Sequence, residues 1–260
     1  MSYSIENCAK VHNIPNIKSM EEPINIRISS TDKGLLFTLG YIFALGKKIK
    51  ITNEKEVLEE VKKYKLSLEN PNKSFYLMAY AWEKLFEKDF EEKYEFDKIV
   101  GNFKRTELIL NDYTFLHYLG SNIIFLISPV RNASEEQKKE IEEYKRICEQ
   151  LKYKIYVPHL DTVQTDLLGG YTICHRNALG LSSSDAVHMY YDQNSRGSMF
   201  DLGVAYACEE PLIIINKDRI EYNSNDFGDN LVSSWNDLVV VDENIYQKHL
   251  ALNRRIAKNE

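Results

Sequence analysis

The fold is decided by residues 187–216, VHMYYDQNSRGSMFDLGVAYACEEPLIIIN. An apolar run rich in strand-forming residues, AVHMYY (186–191), leads into a polar loop, and segment 197–208 then has the length and composition of a helix. A second apolar run, PLIIIN (211–216), follows at once. This order is typical of a parallel βαβ unit, because parallel strands need a crossover that a helix supplies.

The same alternation of apolar strands and helices continues on both sides of this stretch. NIIFLIS (122–128) indicates a buried strand that ends in Ser-Pro, and Ser134 and Gln137 have the spacing of a capping box at the start of the next helix. Further elements are expected as strand KIYVP (154–158), a helix at 170–183, a helix near Trp235, strand DLVVV (237–241) and a C-terminal helix. We therefore predict an α/β fold: a Rossmann-like, flavodoxin-like sheet of five parallel strands with helices on both faces.

Composition is that of a globular protein with an ordinary core. Of 260 residues 43% are hydrophobic and 28% charged, and the net charge of −6 argues against binding to duplex nucleic acid. No apolar run reaches the length of a membrane span and the first residues lack a secretory signal, so we expect a cytoplasmic protein without membrane contact. The four cysteines form no CxxC pair, which favours reduced structural thiols.

Residues 24–53, INIRISSTDKGLLFTLGYIFALGKKIKITN, repeat the pattern of residues 187–216 without a gap. The residues that recur 163 positions later are Gly34 as Gly197, Phe37 as Phe200, Leu39 as Leu202, Gly40 as Gly203, Ala44 as Ala207 and Asn53 as Asn216. Chance similarity of two amphipathic units is the alternative to a duplication. We predict a degenerate N-terminal α/β domain (1–112) that is a partial repeat of the complete domain (121–260), with their equivalent helices packed together. Thr38 stands where the second copy has Asp201.

Ligands of such sheets bind beyond the carboxyl ends of the strands. After the strand that ends near Tyr191, Gly197 permits close approach of the backbone, and the hydroxyl of Ser198 suits an anion or a sugar hydroxyl. Asp201 is expected to project into the same crevice from the first turn of its helix. The alternative is that this acid only complements the helix dipole.

Other polar side chains follow the remaining strands. Arg131 has the planar fork that pairs with a phosphate, although a solvated loop arginine is an equal interpretation. The short polar residues after the second strand suit a base or ribose, and Asx turns explain them equally well. The candidate substrate-binding residues from this argument are Ser128, Arg131, Asn132, Asp161, Gln164, Asp166, Asn194, Ser195, Gly197 and Ser198. Metal-binding and dinucleotide-binding motifs are missing from the sequence, so we expect no metal and no cofactor.

The order of these elements resembles the nucleoside 2-deoxyribosyltransferase family and its nucleotide N-glycosidase relatives, over about residues 122–216. The matching residues are Ser184, Asp185, Ala186, Asp192, Ser195, Gly197, Ser198, Phe200, Asp201, Leu202, Gly203 and Ala207. The resemblance implies that Asp201 is a nucleophile attacking the anomeric carbon of a deoxyribosyl group, although the family usually has Glu there. It implies that Asp192 lies near the nucleobase, where a loop-capping role is the alternative. It also implies that Arg176 and Asn177, on the helix after Gly170, are substrate-binding residues, although the register of that helix does not fix which of them points inward. Finally, it implies that the protein is a homo-oligomer, most simply a dimer.

The resulting hypothesis is an enzyme that cleaves or transfers the N-glycosidic bond of a nucleoside or nucleotide, with Asp201 and Asp192 as catalytic residues. Relatives that act on nucleoside monophosphates place polar and basic groups near Arg131, which favours a nucleotide. One alternative is a degenerate protein that binds a nucleotide without turnover. Another is a TIR-like NAD hydrolase, which also uses an acid on an α/β scaffold.

Overall fold

The computed structural model describes residues 14–29, 32–66, 74–85, 122–130, 133–162 and 169–258. The N-terminal part contains β1 (Ile24–Ile26), α1 (Lys33–Ala44), β2 (Ile49–Ile51), α2 (Glu54–Leu66) and α3 (Ser74–Leu85). The C-terminal part contains β3 (Ile123–Ile127), α4 (Glu135–Gln150), β4 (Lys154–Tyr156), α5 (Pro158–Asp161), α6 (Tyr171–Ser182), β5 (Ala186–Met189), α7 (Arg196–Ala207), β6 (Leu212–Ile214), α8 (Phe227–Ser233), α9 (Trp235–Leu238) and α10 (Glu243–Ala257).

The C-terminal strands form one parallel sheet in the order β4-β3-β5-β6. Helices cover both faces, and the strand β3 shows how. Phe125 and Ile127 point into the core shared with α7, whereas Ile124 and Leu126 pack with residues of α4 and α10 on the other face. The predicted α/β fold with a parallel sheet is confirmed, and so is the capping box of α4, in which Ser134 and Gln137 bond reciprocally.

The sheet has four strands and not the predicted five, as far as the described residues show. DLVVV was expected as the last strand, but α9 extends to Leu238 and Val240 is 61% exposed. This segment forms a helical turn and not a strand because Trp235 and Leu238, which are three residues apart and therefore share one face of a helix, are both buried. The indole N–H of Trp235 also donates to the carbonyl oxygen of Glu210 at 3.1 Å.

The N-terminal part has a smaller parallel sheet, formed by β1 and β2. In it Ile24 pairs with Ile49. Val187 of β5 pairs with Leu212 of β6, and each of these residues lies 163 positions after its N-terminal counterpart. The two sheets therefore have the same local register across their α1 and α7 crossovers.

An asparagine closes each of these two units in the same way. The side chain of Asn53 accepts the N–H of Ile28 at 2.9 Å and donates to its carbonyl oxygen at 3.0 Å. Asn216 makes the same pair of bonds with Tyr191, both at 2.9 Å. Each amide therefore ties the end of the second strand to the residue that follows the first strand.

Helices α1 and α7 touch backbone to backbone at two glycines. A Cβ atom on Gly40 would lie 1.9 Å from the carbonyl oxygen of Phe200, and one on Gly203 would lie 1.9 Å from that of Phe37. Both pairs of equivalent residues are 163 positions apart, so the contact is reciprocal. Only glycine fits at either position without moving a helix.

Aromatic rings surround the crossing of α1 and α7, and they too pair in a reciprocal way: Phe37 contacts the counterpart of Phe43, and Phe43 contacts the counterpart of Phe37. The rings of Phe37 and Tyr206 lie 5.4 Å apart, and those of Phe43 and Phe200 lie 5.5 Å apart, both edge to face. The expected packing of the two equivalent helices is thus observed. The largest buried apolar cluster continues through it from the N-terminal part into the C-terminal part.

Within the described ranges, no helix is both long enough and apolar enough to cross a lipid bilayer.

Candidate active site

Asp201 lies in the second turn of α7, as its sixth residue, and not in the first turn as predicted. Asp201 is 8% exposed. The described residues place no acidic side chain in the first turn of α7. The interpretation of Asp201 as an acid that complements the helix dipole is therefore wrong, because the dipole effect is confined to the terminal turn.

Asn177 of α6 faces Asp201. Its side-chain nitrogen lies 3.4 Å from both carboxylate oxygens, and both residues are buried. Burial raises the pKa of Asp201 to about 7, while the amide of Asn177 lowers it to a smaller extent. The carboxyl is thus poised to exchange its proton near neutral pH.

A chain of polar side chains supports Asn177 from behind. The hydroxyl of Thr162 lies 3.5 Å from the side-chain oxygen of Asn177 and bonds to the hydroxyl of Tyr156. The ring of Tyr156 stacks on Phe125 of β3 at 5.3 Å. These contacts hold the side chain of Asn177 that faces Asp201. Sequence reasoning did not single out Tyr156, which lies within a strand, or Thr162, although Thr162 belongs to the polar loop that follows this strand.

The loop between β5 and α7, with the first turn of α7, holds four predicted residues in two hydrogen-bonded pairs. The carboxylate of Asp192 accepts the N–H of Asn194 at 2.8 Å, and the hydroxyls of Ser195 and Ser198 lie 2.7 Å apart. The first contact is an Asx turn, which is the loop-capping role weighed for Asp192. The role of Asp192 in catalysis stays a prediction.

A buried aspartate on α8, which the sequence did not single out, holds this loop in place. The carboxylate of Asp229 accepts the hydroxyl of Tyr191 at 2.6 Å and the side-chain amide of Gln193 at 2.9 Å. It also accepts the N–H of Asn223 at 2.7 Å. Asp229 is 1% exposed, so these bonds replace its hydration.

Several buried polar atoms near the carboxyl end of the sheet have no partner among the described residues. They are the hydroxyl oxygen of Ser128, both ring nitrogens of His159 and one guanidinium nitrogen, Nη1, of Arg196. Burial also lowers the pKa of His159, so its ring is held neutral. Unsatisfied buried groups are costly and rare, so each of these atoms is a donor or acceptor that a bound water or ligand would satisfy. Arg196 was missed because the sequence indicated a helix beginning one residue later.

The comparison with protein families agrees with this geometry. Residues 118–244 match the family model of nucleoside 2-deoxyribosyltransferase. A domain of the nucleoside 2-deoxyribosyltransferase family is thus found at residues 118–244. No curated protein and no solved structure matches the chain.

The remaining predicted residues are distributed unevenly over this deoxyribosyltransferase domain. Asp161 accepts the N–H of Val157 at 2.7 Å and forms an ion pair with Lys145 at 2.8 Å, which gives it a structural role at the start of α5. Arg176 is half-buried on α6, and Gly197 is exposed on α7 with open space around it. The residues that lie outside the described ranges are Arg131, Asn132, Gln164 and Asp166.

Proposed function

We propose that the protein cleaves the N-glycosidic bond of a nucleoside or nucleotide, with Asp201 as the nucleophile. The observation that carries this proposal is the buried Asp201 carboxylate, with a pKa of about 7, inside a deoxyribosyltransferase domain. Positive charge develops on the sugar as the base departs. A carboxylate that burial has stripped of water stabilises that charge strongly and is free to bond to carbon.

The proposed reaction has two displacements at one carbon. An oxygen of Asp201 bonds to the anomeric carbon while the bond from this carbon to the base nitrogen breaks, and the electron pair leaves with the base. Asp192 is the proposed group that handles the departing base. Water or a second base then displaces Asp201 and restores the carboxylate, while Asn177 keeps the carboxylate oriented throughout.

A 5′-phosphate is the substrate group that best fits the start of α7. Ser195 and Ser198 offer two hydroxyls 2.7 Å apart, the first N–H groups of the helix are free of helical partners, and Arg196 has a buried unpartnered nitrogen among the described residues. An arginine at a helix N-terminus is suited to a phosphate because its donors are planar and charged. We therefore favour a nucleoside monophosphate over the nucleoside.

Affinity measurements test the phosphate contact. We expect the monophosphate to bind the Asp201→Asn variant more than tenfold more tightly than the nucleoside, about 1.4 kcal/mol. Arg196→Gln should remove most of this difference, whereas Arg254→Gln, a matched change at an exposed position of α10, should leave it unchanged. Equal affinities for the two ligands in the Arg196-containing protein would eliminate the phosphate site.

A second candidate function is nucleotide binding without turnover. It is favoured by the side chain itself: aspartate is one methylene shorter than the glutamate that the family usually has, and Asp201 is almost fully buried. A shorter carboxylate has less reach toward an anomeric carbon. Hydrolysis of NAD is a third candidate, supported only by the acid on an α/β scaffold.

One incubation separates these candidates. The full chain is mixed in separate reactions with 2′-deoxynucleosides, their 5′-monophosphates and NAD, and free base or nicotinamide is measured by chromatography. Free base from the monophosphates supports the proposed function, and nicotinamide alone supports NAD hydrolysis. Binding without any product in calorimetry supports the binding protein.

We also infer that residues 24–53 are a degenerate copy of residues 187–216. The equal strand registers, the two asparagine clamps and the reciprocal glycine contact support this. In an isologous contact the same surface serves both partners, so α1 occupies the place that a second copy of α7 would take. The predicted homodimer would then form through another surface, and sedimentation equilibrium of the full chain tests whether it forms.

A further inference from the structure

A second cavity lies in the N-terminal part, about 470 Å³ in volume. Its lining comes from β1, from α1, from the segment around Ile17 and from Phe227 of α8. This volume is within the range of small-molecule sites. It is separate from the pair Asp201–Asn177, since none of the residues that line it comes from α6 or α7.

Three residues that line the cavity correspond in sequence to residues of the proposed active site on α7. Asp32, Gly34 and Thr38 line it, and 163 residues later their counterparts are Ser195, Gly197 and Asp201. The hydroxyl of Thr38 donates to the carbonyl oxygen of Gly34 at 2.8 Å. At the position that corresponds to Asp201, the N-terminal cavity therefore has a hydroxyl in place of the carboxylate that the proposed chemistry requires.

Its lining favours a neutral ring compound over an anion. The walls are mostly isoleucine, leucine and phenylalanine, including the edge-to-face rings of Phe37 and Phe227. Among the described lining residues Asp32 is the one charged group, and it would repel a phosphate while accepting hydrogen bonds from sugar hydroxyls. The nearest lysine on α1, Lys33, is paired with Asp226 at 2.6 Å.

We propose that this cavity is a second nucleoside site, which binds a nucleoside without a phosphate and does not cleave it. The choice of nucleosides as the ligand class rests on the proposed function, because it follows from the equivalence with the Asp201 crevice. The preference against phosphate rests on the lining alone. The two sites of one chain would then differ in ligand: a monophosphate at α7 and a free nucleoside at α1.

Calorimetric titration of the full-length Asp201→Asn variant tests this, with 2′-deoxyadenosine and its 5′-monophosphate as probes. We expect two 2′-deoxyadenosine sites per chain and one for the monophosphate. Thr38→Phe, which fills the cavity, should remove one nucleoside site and leave the monophosphate site. Thr52→Phe, a matched change at an exposed threonine that does not line the cavity, should remove neither.

Each other outcome has a definite meaning. A single nucleoside site that Thr38→Phe leaves intact overturns the proposal, and so does monophosphate binding that Thr38→Phe abolishes. A single nucleoside site that Thr38→Phe removes supports the cavity and counts against the proposed function, which base release by the wild type tests separately. If Thr38→Phe fails to fold in thermal melting, Thr38→Leu takes its place, with an expected loss of nucleoside affinity of at least tenfold.

Discussion

The carboxyl of Asp201 determines how the proposed activity should depend on pH. Its pKa of about 7 means that the ionised fraction falls about tenfold for each pH unit below neutrality. We expect the rate of base release to rise between pH 5 and pH 7 and to level off above. Initial rates at constant ionic strength measure this. A rate that is flat across that range would show that Asp201 is not the ionising group.

Asp201 should also make the fold less stable at neutral pH than it is in acid. The folded protein keeps this proton up to about pH 7, whereas the unfolded carboxyl loses it near 3.8. The contribution of Asp201 to stability is therefore complete below about pH 4 and is lost as the pH rises through 7. The amide of Asp201→Asn does not ionise, so the variant does not lose this contribution. Its free energy of unfolding should therefore rise relative to that of the wild type between pH 4 and pH 7, by roughly 4 kcal/mol at most.

Thermal melting from pH 4 to pH 8 checks this gain. Asp237→Asn, at an exposed position of α9, is the matched control and should follow the wild type at every pH. A constant difference between Asp201→Asn and the wild type over the whole range would mean that the buried carboxyl ionises at its ordinary pKa.

At the scale of elements, the crossing of α1 and α7 depends on two glycines. Gly40→Ala and Gly203→Ala each place a methyl group against a backbone carbonyl, so each should destabilise the protein by about 1–3 kcal/mol or more. Gly197→Ala, on the same helix α7 but in open space, should instead be neutral or stabilise by up to about 1 kcal/mol. Urea unfolding measures the three values. Equal effects at all three positions would contradict the close packing.

The regular elements could be predicted from the sequence because their signals are local. β3 is a continuous apolar run, and α4 has both a capping box and an apolar face. The last strand was wrong because DLVVV is short and apolar, a pattern that strands and buried helical turns share. The burial of Trp235 and Leu238 in the core, which the sequence does not show, stabilises the helical turn over a strand.

The candidate site could be predicted only in part. The loop and helix pattern singled out Asp201 and the family resemblance singled out Asn177, and the catalytic and binding roles of both stay predictions. An error of one residue in the start of α7 placed Asp201 in the first turn and hid Arg196. Asp229 lies 37 residues from Asp192 in sequence, and only the fold shows that it holds the loop beside it. Contacts of this kind depend on tertiary packing, which a single sequence does not encode in any local pattern.

At the scale of the molecule, the N-terminal and C-terminal parts share one apolar core and should unfold together. Each part has one of the two tryptophans, Trp82 and Trp235, and both are buried in this core. The variant Trp82→Phe keeps only the tryptophan of the C-terminal part, and Trp235→Phe keeps only that of the N-terminal part, so the fluorescence of each variant reports on one part. We expect fluorescence of each variant to give a urea midpoint that coincides with its own circular dichroism midpoint. Two separated transitions within either variant would show that the parts unfold independently.

The central claim is that Asp201 attacks the sugar, and base release by the wild type and by Asp201→Asn tests it most directly. Chromatography measures free base from 2′-deoxynucleoside monophosphates, and thermal melting at pH 5 to 8 confirms that the variant is folded. We predict base release by the wild type and a loss of at least a thousandfold, about 4 kcal/mol, in Asp201→Asn. A folded Asp201→Asn variant that keeps most of the wild-type rate would contradict the claim and place the nucleophile elsewhere, with Asp192 the next candidate.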